Sequence, residues 1–515
     1  MSSYAENNKR IAKNTLLLYF RMLITMAVSL YTSRVVLQAL GVEDFGIYNV
    51  VGGVVVLITF LNNSLTGATQ RFLSIGLGTA HICNLSKIFN TCIFVHKILA
   101  IVILLFSQFI GLWFIDNKLQ IPTNRAVAAF WVFQASVCSM VVMILSVPYN
   151  ALIIAYEQMR AFAYVSIIEV FFKLLVALSL KIIIFDKLIY YAVLIVFAQI
   201  VVRMIYQWYC HKKYSDIVSE SKYDKKTMVE ILKFASWTII GNLANILSSQ
   251  GLNILLNIFF GPIVNASRGL AVQIQSALQS FVSNFQTSIN PQIFKTFAAQ
   301  QIDYHRKLVI SSARFSMLLM GFLSIPFIFE AEIILDLWLG NVPAYAANFL
   351  RLTLVIVTLD ASVNAPDMSI NATGKIRTYQ LTTCGIMLLT VPISYLFLVN
   401  GCKPYVVYYI HFAVIVFSQM MRLLLDARYT GLSLKDFFLK VYLKNLISIC
   451  LMSIIPYIIF ISVQQGILRL MLTMIFSYLG GLLIIFFVSF NSNERQLVLD
   501  FLKRKLMGGI NKKKA

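Results

Sequence analysis

The feature that most constrains this chain is the length and recurrence of its apolar blocks. An α-helix rises about 1.5 Å per residue, so roughly twenty apolar residues cross the hydrocarbon core of a bilayer. Blocks of this size centre near residues 26, 57, 100, 138, 173, 198, 247, 278, 317, 356, 388, 414, 451 and 478, which predicts about fourteen transmembrane helices. No interval between them is long enough for a separate soluble domain. The 515 residues are 59% hydrophobic, with a mean hydropathy of +0.79, beyond the usual range of soluble domains. The fold class expected is all-α integral membrane, multi-pass.

The net charge of +22 is first of all a topology signal, because Lys and Arg of short loops are retained on the cytoplasmic side. With the N-terminus inside, the cytoplasmic segments hold Lys9, Arg10 and Lys13, then Arg71 and Lys87, then Arg160, then Lys212 to Lys226, and finally the tail from Lys503 to Lys514. The opposite loops are short and acidic or weakly charged, as at Glu43 with Asp44 or Glu330 with Glu332. The bias never inverts, so both termini are expected inside. The Lys-rich tail is expected to touch anionic lipid rather than nucleic acid. Seven cysteines are scattered without a C-x-x-C, so neither a disulfide framework nor a metal site is expected, and they read as small apolar core residues.

One apolar block carries a polar stripe. In "IIGNLANILSSQGLNILLNIFFGP" (239–262), Asn242, Asn245, Ser249, Asn253 and Asn257 recur at helical spacing and form one face. Asn62, Asn63, Ser64, Thr66, Thr69 and Gln70 stripe the second predicted helix, and Gln275, Gln279, Ser283 and Gln286 the eighth. Such side chains either line a solvated cavity or tie helices together, and both readings stay open.

The chain also repeats itself. At an offset of 220 residues, "SRVVLQALGVEDFGIYNV" (33–50) aligns with the stretch that begins "NILLNIFFGPIVNASRG" (253–269), placing Gly41 opposite Gly261. "PYNALIIAYEQMRAFAY" (148–164) aligns with "APDMSINATGKIRTYQL" (365–381), placing Ala155 opposite Ala372. The organisation expected is a six-helix lobe over 1–210, a basic cytoplasmic linker over 211–230, a second six-helix lobe over 231–430, two further helices over 431–490 and a basic tail over 491–515. The lobes enter the membrane in the same orientation, as a parallel repeat.

The N-terminal "NKRIAKNTLLLYFRMLITMAVSLYTSRVVLQALGVEDFGIYNVVGG", the "PYNALIIAYEQMRAFAYVSIIEVFFKLL" run and the "NATGKIRTYQ" loop resemble the polysaccharide (O-antigen type) flippases of the MATE-like transporter superfamily. The resemblance extends over nearly the whole chain. It implies two pseudo-symmetric lobes, a bacterial inner-membrane location, and a lipid-linked glycan as substrate.

Ionisable residues within spans are costly, at about 2.5 to 3.5 kcal/mol or more each at mid-bilayer, and therefore point to function. Arg21 and Arg34 lie in the first predicted helix, Arg268 opens the eighth and Arg351 the tenth. Facing a cavity they would form a cationic track, and guanidinium forks match phosphate oxygens; snorkelling to the interface is the alternative. Amide walls of Asn62, Asn63, Asn242, Asn245, Ser249, Asn253, Gln275 and Gln279 suit sugar hydroxyls, which need donors and acceptors together. Glu169 and Lys173 stand one turn apart in the favourable order for a helical pair, either a structural bridge or a coupling element. Asp360 has no basic residue at i±3 or i±4 and is the candidate proton site.

The function expected is a flippase that moves a polyprenyl-diphosphate-linked oligosaccharide across the inner membrane by alternating access, with no cofactor and with proton or sodium coupling permitted but not required. Besides its glycan substrate and membrane lipids, other polysaccharide-assembly proteins are the partners to expect. The sequence shows no enzyme motif. A cation-coupled drug antiporter of the same fold would favour acidic and aromatic cavity residues, against the surplus of intramembrane Arg. A glycan polymerase or ligase would be expected to carry a large outer loop.

Overall fold

The computed structural model describes the backbone of residues 2–56, 59–78, 82–113, 123–218, 223–339, 342–492, 494–496 and 499. Within these ranges the side chains of 2–13, 30, 33, 37, 42, 43, 45, 46, 49–56, 59–61, 63, 82–84, 110, 123, 257, 261–263, 265, 266 and 339 are not described. The described backbone is helical, without a strand.

The first half runs through α1 (Ser2–Val56), α2 (Thr59–Gly78), α3 (Ile82–Phe106), α4 (Ala126–Ala155), α5 (Met159–Ser179), α6 (Lys187–Lys213) and the short α7 (Ser215–Val218). A long helix, α8 (Lys225–Ala298), opens the second half, followed by α9 (Ile302–Phe329), α10 (Ala331–Leu339), α11 (Ala346–Asp360), α12 (Asn364–Thr373), α13 (Ile376–Leu388), α14 (Thr390–Val399) and α15 (Val406–Thr430). The chain ends in α16 (Leu434–Phe437), α17 (Lys444–Ser462) and α18 (Ile467–Ile484).

Twelve helical segments among the described residues are long and apolar enough to cross a membrane. The two expected helices missing from that set are the second and the eighth, which are the ones whose apolar character is diluted by amides and hydroxyls. Both exist as helices, in α2 and in the C-terminal arm of α8. Where the sequence places their turns, the backbone departs from a straight helix. Gly41 interrupts α1 with φ of 81°, a conformation that a Cβ disfavours. In α8 the Arg268 guanidinium reaches the Asn253 side chain, fifteen residues earlier. On a straight helix those positions stand about 22 Å apart, so the chain reverses between them, in the stretch that holds Gly261-Pro262.

By contact the chain forms two compact units: residues 1–246, 284–305 and 368–384 make the first, and residues 247–283, 306–367 and 385–515 the second. In the first unit α4 is the central helix, packed by α2, α3 and α6 through Val132, Phe133, Ile144 and Leu188 at one end and Leu152, Phe89 and Tyr206 at the other. Lipid-type exposure covers its outer helices: Phe171, Leu175, Phe197 and Met204 of α5 and α6 are all exposed. In the second unit Leu252, Leu256, Val282, Phe349, Leu354 and Tyr408 close one core. Its edge is fixed by Glu330, fully buried, which accepts from Arg469 Nε and Nη2 at 3.1 and 3.0 Å and from Thr473 Oγ1 at 2.9 Å. The sequence reads Glu330 as an acid of an outer loop; its partners on α18 draw it inside.

Two smaller expectations change. Cys92, Cys210 and Cys384 are buried as expected, but Cys138 and Cys450 are exposed, on helices whose outer faces carry apolar side chains. In the linker, residues 219–222 lie outside the described residues, and Asp224 caps α8 by accepting from Thr227 N at 2.8 Å and Thr227 Oγ1 at 2.5 Å. Those two bonds hold the Asp224 carboxyl below its ordinary range. Most of the basic tail is likewise outside the described residues.

Candidate substrate and coupling sites

In the first unit α1 brings Arg21 against α5. Its Nη2 donates to Asn284 Oδ1 at 2.8 Å and its Nη1 to Ser166 Oγ at 3.5 Å, and the guanidinium lies 4.6 Å from the Phe162 ring centroid. One turn beyond Ser166, Glu169 is close enough to attract Arg21, and Glu169 Oε1 accepts from Lys173 Nζ at 2.7 Å. Three sequence candidates, Arg21, Glu169 and Lys173, therefore form one network with a single net positive charge. The Arg21 Nε is buried without a partner among the described residues, leaving one donor of the fork unused.

In the second unit the reversal of α8 presents Arg268, nine-tenths buried, to α15. Arg268 donates to Asn253 Oδ1 and lies near the Tyr408 hydroxyl, a buried group without a hydrogen-bond partner among the described residues; Asn253 Nδ2 in turn donates to Gln250 Oε1 at 2.9 Å. His411, one turn past Tyr408, lies within the field of Arg268 and its Nδ1 has no partner among the described residues. Among the described residues Arg268 meets neutral groups. A guanidinium buried with amides and hydroxyls alone keeps its full charge available to an anion.

Asp360, expected to be without a partner, has one from another helix. Gln419 of α15 lies near its carboxylate, though its Nε2 has no hydrogen-bond partner among the described residues, and Arg422, one turn on, attracts the carboxylate. Arg422 Nε also lies 3.7 Å from Asp367 Oδ1, and Tyr442 donates to Gln419 Oε1 at 3.0 Å. Local spacing could not show this, because the partner sits on a helix that meets α11 only in the folded bundle.

The remaining candidates scatter. Arg34 is exposed on α1. Arg351 donates to the Ile328 carbonyl at 3.0 Å, Asn348 Oδ1 at 3.3 Å and Glu332 Oε1 at 3.2 Å, so it ties α11 to the α9–α10 corner. Asn242 donates to Ser64 Oγ at 2.7 Å and thereby joins α8 to α2, the tie between helices that the stripe also permitted. Asn245 donates to the Gly241 carbonyl within its own helix at 3.1 Å. Asn62 is buried with an unpartnered Oδ1, Ser249 is exposed, and Gln275 and Gln279 are half-buried. The Asn63 side chain lies outside the described residues.

Residues that the sequence reading passes over make a reciprocal contact at one end of the first unit. Glu157, at the turn after α4, is buried and accepts from Gln292 Nε2 at 2.7 Å and Lys295 Nζ at 2.6 Å. Arg71 of α2, stacked 4.9 Å from the Phe72 and 4.7 Å from the Phe234 ring centroids, donates to the carbonyls of Asn371 and Ala372 at the end of α12. The sequence repeat aligns Glu157 with Gly374, and both have left-handed φ, 58° and 76°. At Gly374 a Cβ would come within 2.9 Å of Arg71 Nη2, so only glycine leaves room for the grip. The second-half arm of α8 thus holds the turn after α4, and α2 of the first half holds the turn after α12.

The profile of the polysaccharide biosynthesis protein family matches residues 11–297, more than half of the chain. The chain belongs to that family. No curated protein matches the sequence. Among solved structures, an outward-facing multidrug resistance MATE family transporter of the MOP superfamily superposes with a TM-score of 0.71 at 11% identity, covering 82% of this chain and 96% of that one. A MOP superfamily transporter from Pyrococcus furiosus, reported with a binding pocket of reversed polarity, gives 0.70 at 11% identity over 82% and 96%. A Vibrio cholerae MATE transporter gives 0.65 at 17% identity over 85% and 100%. These likenesses establish a MATE-like fold, and with its twelve long apolar helices among the described residues this polysaccharide biosynthesis protein is a multi-pass membrane protein.

Proposed function

We propose that the protein is a flippase that carries a polyprenyl-diphosphate-linked oligosaccharide across the inner membrane of a bacterium by alternating access. The observation that carries this reading is Arg268, buried against neutral groups among the described residues. With Arg21 in a network of net positive charge, it gives each unit a site for phosphate oxygens, while Asn253 and Gln250 beside it offer both donors and acceptors to sugar. Membership of the polysaccharide biosynthesis family supports the glycan.

Direction follows from charge. With both termini inside, a diphosphate of about two negative charges moving outward gains about 2.3 kcal/mol per charge per 100 mV of inside-negative potential. The Glu157 and Arg71 contacts then lie at the cytoplasmic end, where they join the two sequence halves and must open to admit substrate. Asp360 with Arg422 is the candidate proton-coupling pair. Other polysaccharide-assembly proteins are the partners that would supply and consume such a substrate.

The test is a leaflet-resolved assay in proteoliposomes with a defined diphosphate-linked glycan. Replacing Arg21, Arg34 and Arg268 together by Ala should abolish flipping at equal protein content. Flipping at the parent rate would exclude the arginines as the diphosphate site. A cation antiporter, suggested by the likeness to a multidrug resistance transporter, instead predicts export of organic cations that the Asp360→Asn change abolishes.

A further inference from the structure

We propose that the first unit holds a second anion site, separate from the proposed transport residues: a pocket between α3, α4 and α6 that binds a phosphate group. The pocket has a volume of about 240 Å³, against about 30 Å³ for one water, which is room for a phosphate with part of its ester substituent. His96, Lys97, Tyr149, Arg203, Gln207 and His211 line it, and its full lining contains no carboxylate. Arg203 and Lys97 bring two cations to a lining that holds no acid, and an anion between them would supply their counter-charge.

The individual groups fit that occupant. Arg203 lies about 15 Å along α6 from the Lys213 end, and its buried Nε has no partner among the described residues. His96 is fully buried; its Nδ1 is 2.8 Å from the Cys92 carbonyl and must donate to it, which leaves Nε2, without a partner among the described residues, as the atom that meets a ligand. Neutral, Nε2 accepts from a glycerol hydroxyl of a headgroup or from the P–O–H of monoprotonated inorganic phosphate; protonated, it donates to a P–O⁻. His211 is fixed by its Nδ1 contact with the Gln207 carbonyl at 2.9 Å and stacks on Tyr149, with ring centroids 6.4 Å apart. Lys97 is exposed at the rim and supplies a movable ammonium. Asp224, which bonds Thr91 on the neighbouring α3 face, is engaged in capping α8 and does not line the pocket.

The pocket lies toward the helix ends that carry His211 to Lys213, where the charge bias places the inner leaflet. Basic pockets between transmembrane helices at that surface accept anionic lipid headgroups. A free phosphate has the same recognising chemistry, so the two sources are separated by experiment.

Purified full-length protein in neutral detergent is titrated with short-chain phosphatidylglycerol, inorganic phosphate and short-chain phosphatidylcholine, and binding is read by the shift in melting temperature. Phosphatidylglycerol should stabilise the protein. Arg203→Gln should weaken its apparent affinity about tenfold and the exposed Lys97→Gln about threefold, while Lys212→Gln, outside the pocket, leaves it unchanged. Stabilisation by phosphatidylglycerol alone assigns the site to a lipid headgroup; equal stabilisation by inorganic phosphate assigns it to the phosphate itself. If neither anion binds, if phosphatidylcholine binds equally, or if both Arg203→Gln and Lys97→Gln bind as the parent does, the site does not exist. Flipping is not measured, so this result stands apart from the transport reading.

Discussion

Arg21 and Arg268 are the same side chain in membrane helices of the two units, yet their surroundings differ in one respect. Arg21 has Glu169 within its field, itself bridged to Lys173, whereas Arg268 donates to Asn253 and lies near the neutral Tyr408. A carboxylate nearby already supplies an arginine with its counter-charge, so an incoming anion gains less there. Under the proposed function, this difference makes Arg268 of the second unit the stronger diphosphate contact and Arg21 of the first the weaker.

The largest effect should follow from Arg268→Ala. Loss of a charge-assisted bond is worth about 2 kcal/mol, so flipping of a diphosphate-linked glycan should fall roughly thirtyfold, with Arg268→Lys between the two because it keeps charge and loses the fork. Initial flipping rates in proteoliposomes measure this. A smaller loss than that of Arg21→Ala would reverse the ranking.

Arg21→Ala should reduce the rate by about three- to fivefold, a neutralised cation being worth under about 1 kcal/mol. Glu169→Gln sharpens the point because its sign is opposite: removing the competing carboxylate should lower the substrate concentration at half-maximal rate. A rise would show that Glu169 serves only to hold Arg21 in place.

Asp360→Asn bears on the second unit alone. It should remove any dependence of flipping on a pH gradient while leaving Arg268 and its anion contact intact, as seen by an unchanged concentration at half-maximal rate. A mutant that follows the gradient like the parent would leave Asp360 a structural partner of Arg422.

The smallest effect is set by the amide stripe. Asn242→Ala removes one bond between α8 and α2 and should lower stability by about 0.6 kcal/mol, read as a shift in melting temperature, with little change in transport. Asn253→Ala, beside Arg268, should do the reverse.

The fold was readable because bilayer length and hydropathy act locally along the chain. The apolar blocks centred near residues 57 and 278 also fall where the structure has helices, though neither is among the twelve segments apolar enough to cross a membrane. The Glu169–Lys173 pair was equally accessible, since one turn separates its members. What stayed hidden joins distant segments. Arg422 beside Asp360, Arg469 beside Glu330 and Asn284 beside Arg21 come from other helices, and no spacing rule pairs them. Arg71 and Glu157 were invisible for another reason: a basic residue near a helix end serves the topology argument whether or not it grips a neighbouring turn. In that place the alignment of Glu157 with Gly374 held the signal, because a residue opposite a glycine invites the question of backbone conformation.

The central claim is that the cargo is anionic at its lipid linkage. It is tested most directly by presenting proteoliposomes with two lipids that carry the same oligosaccharide, one through a diphosphate and one through an uncharged ether, and counting the fraction of each exposed in the far leaflet over time. The diphosphate lipid should cross at a rate that falls with Arg268→Ala while the uncharged lipid stays at the protein-free background. Equal crossing of both lipids, unaffected by Arg268→Ala, would contradict the account.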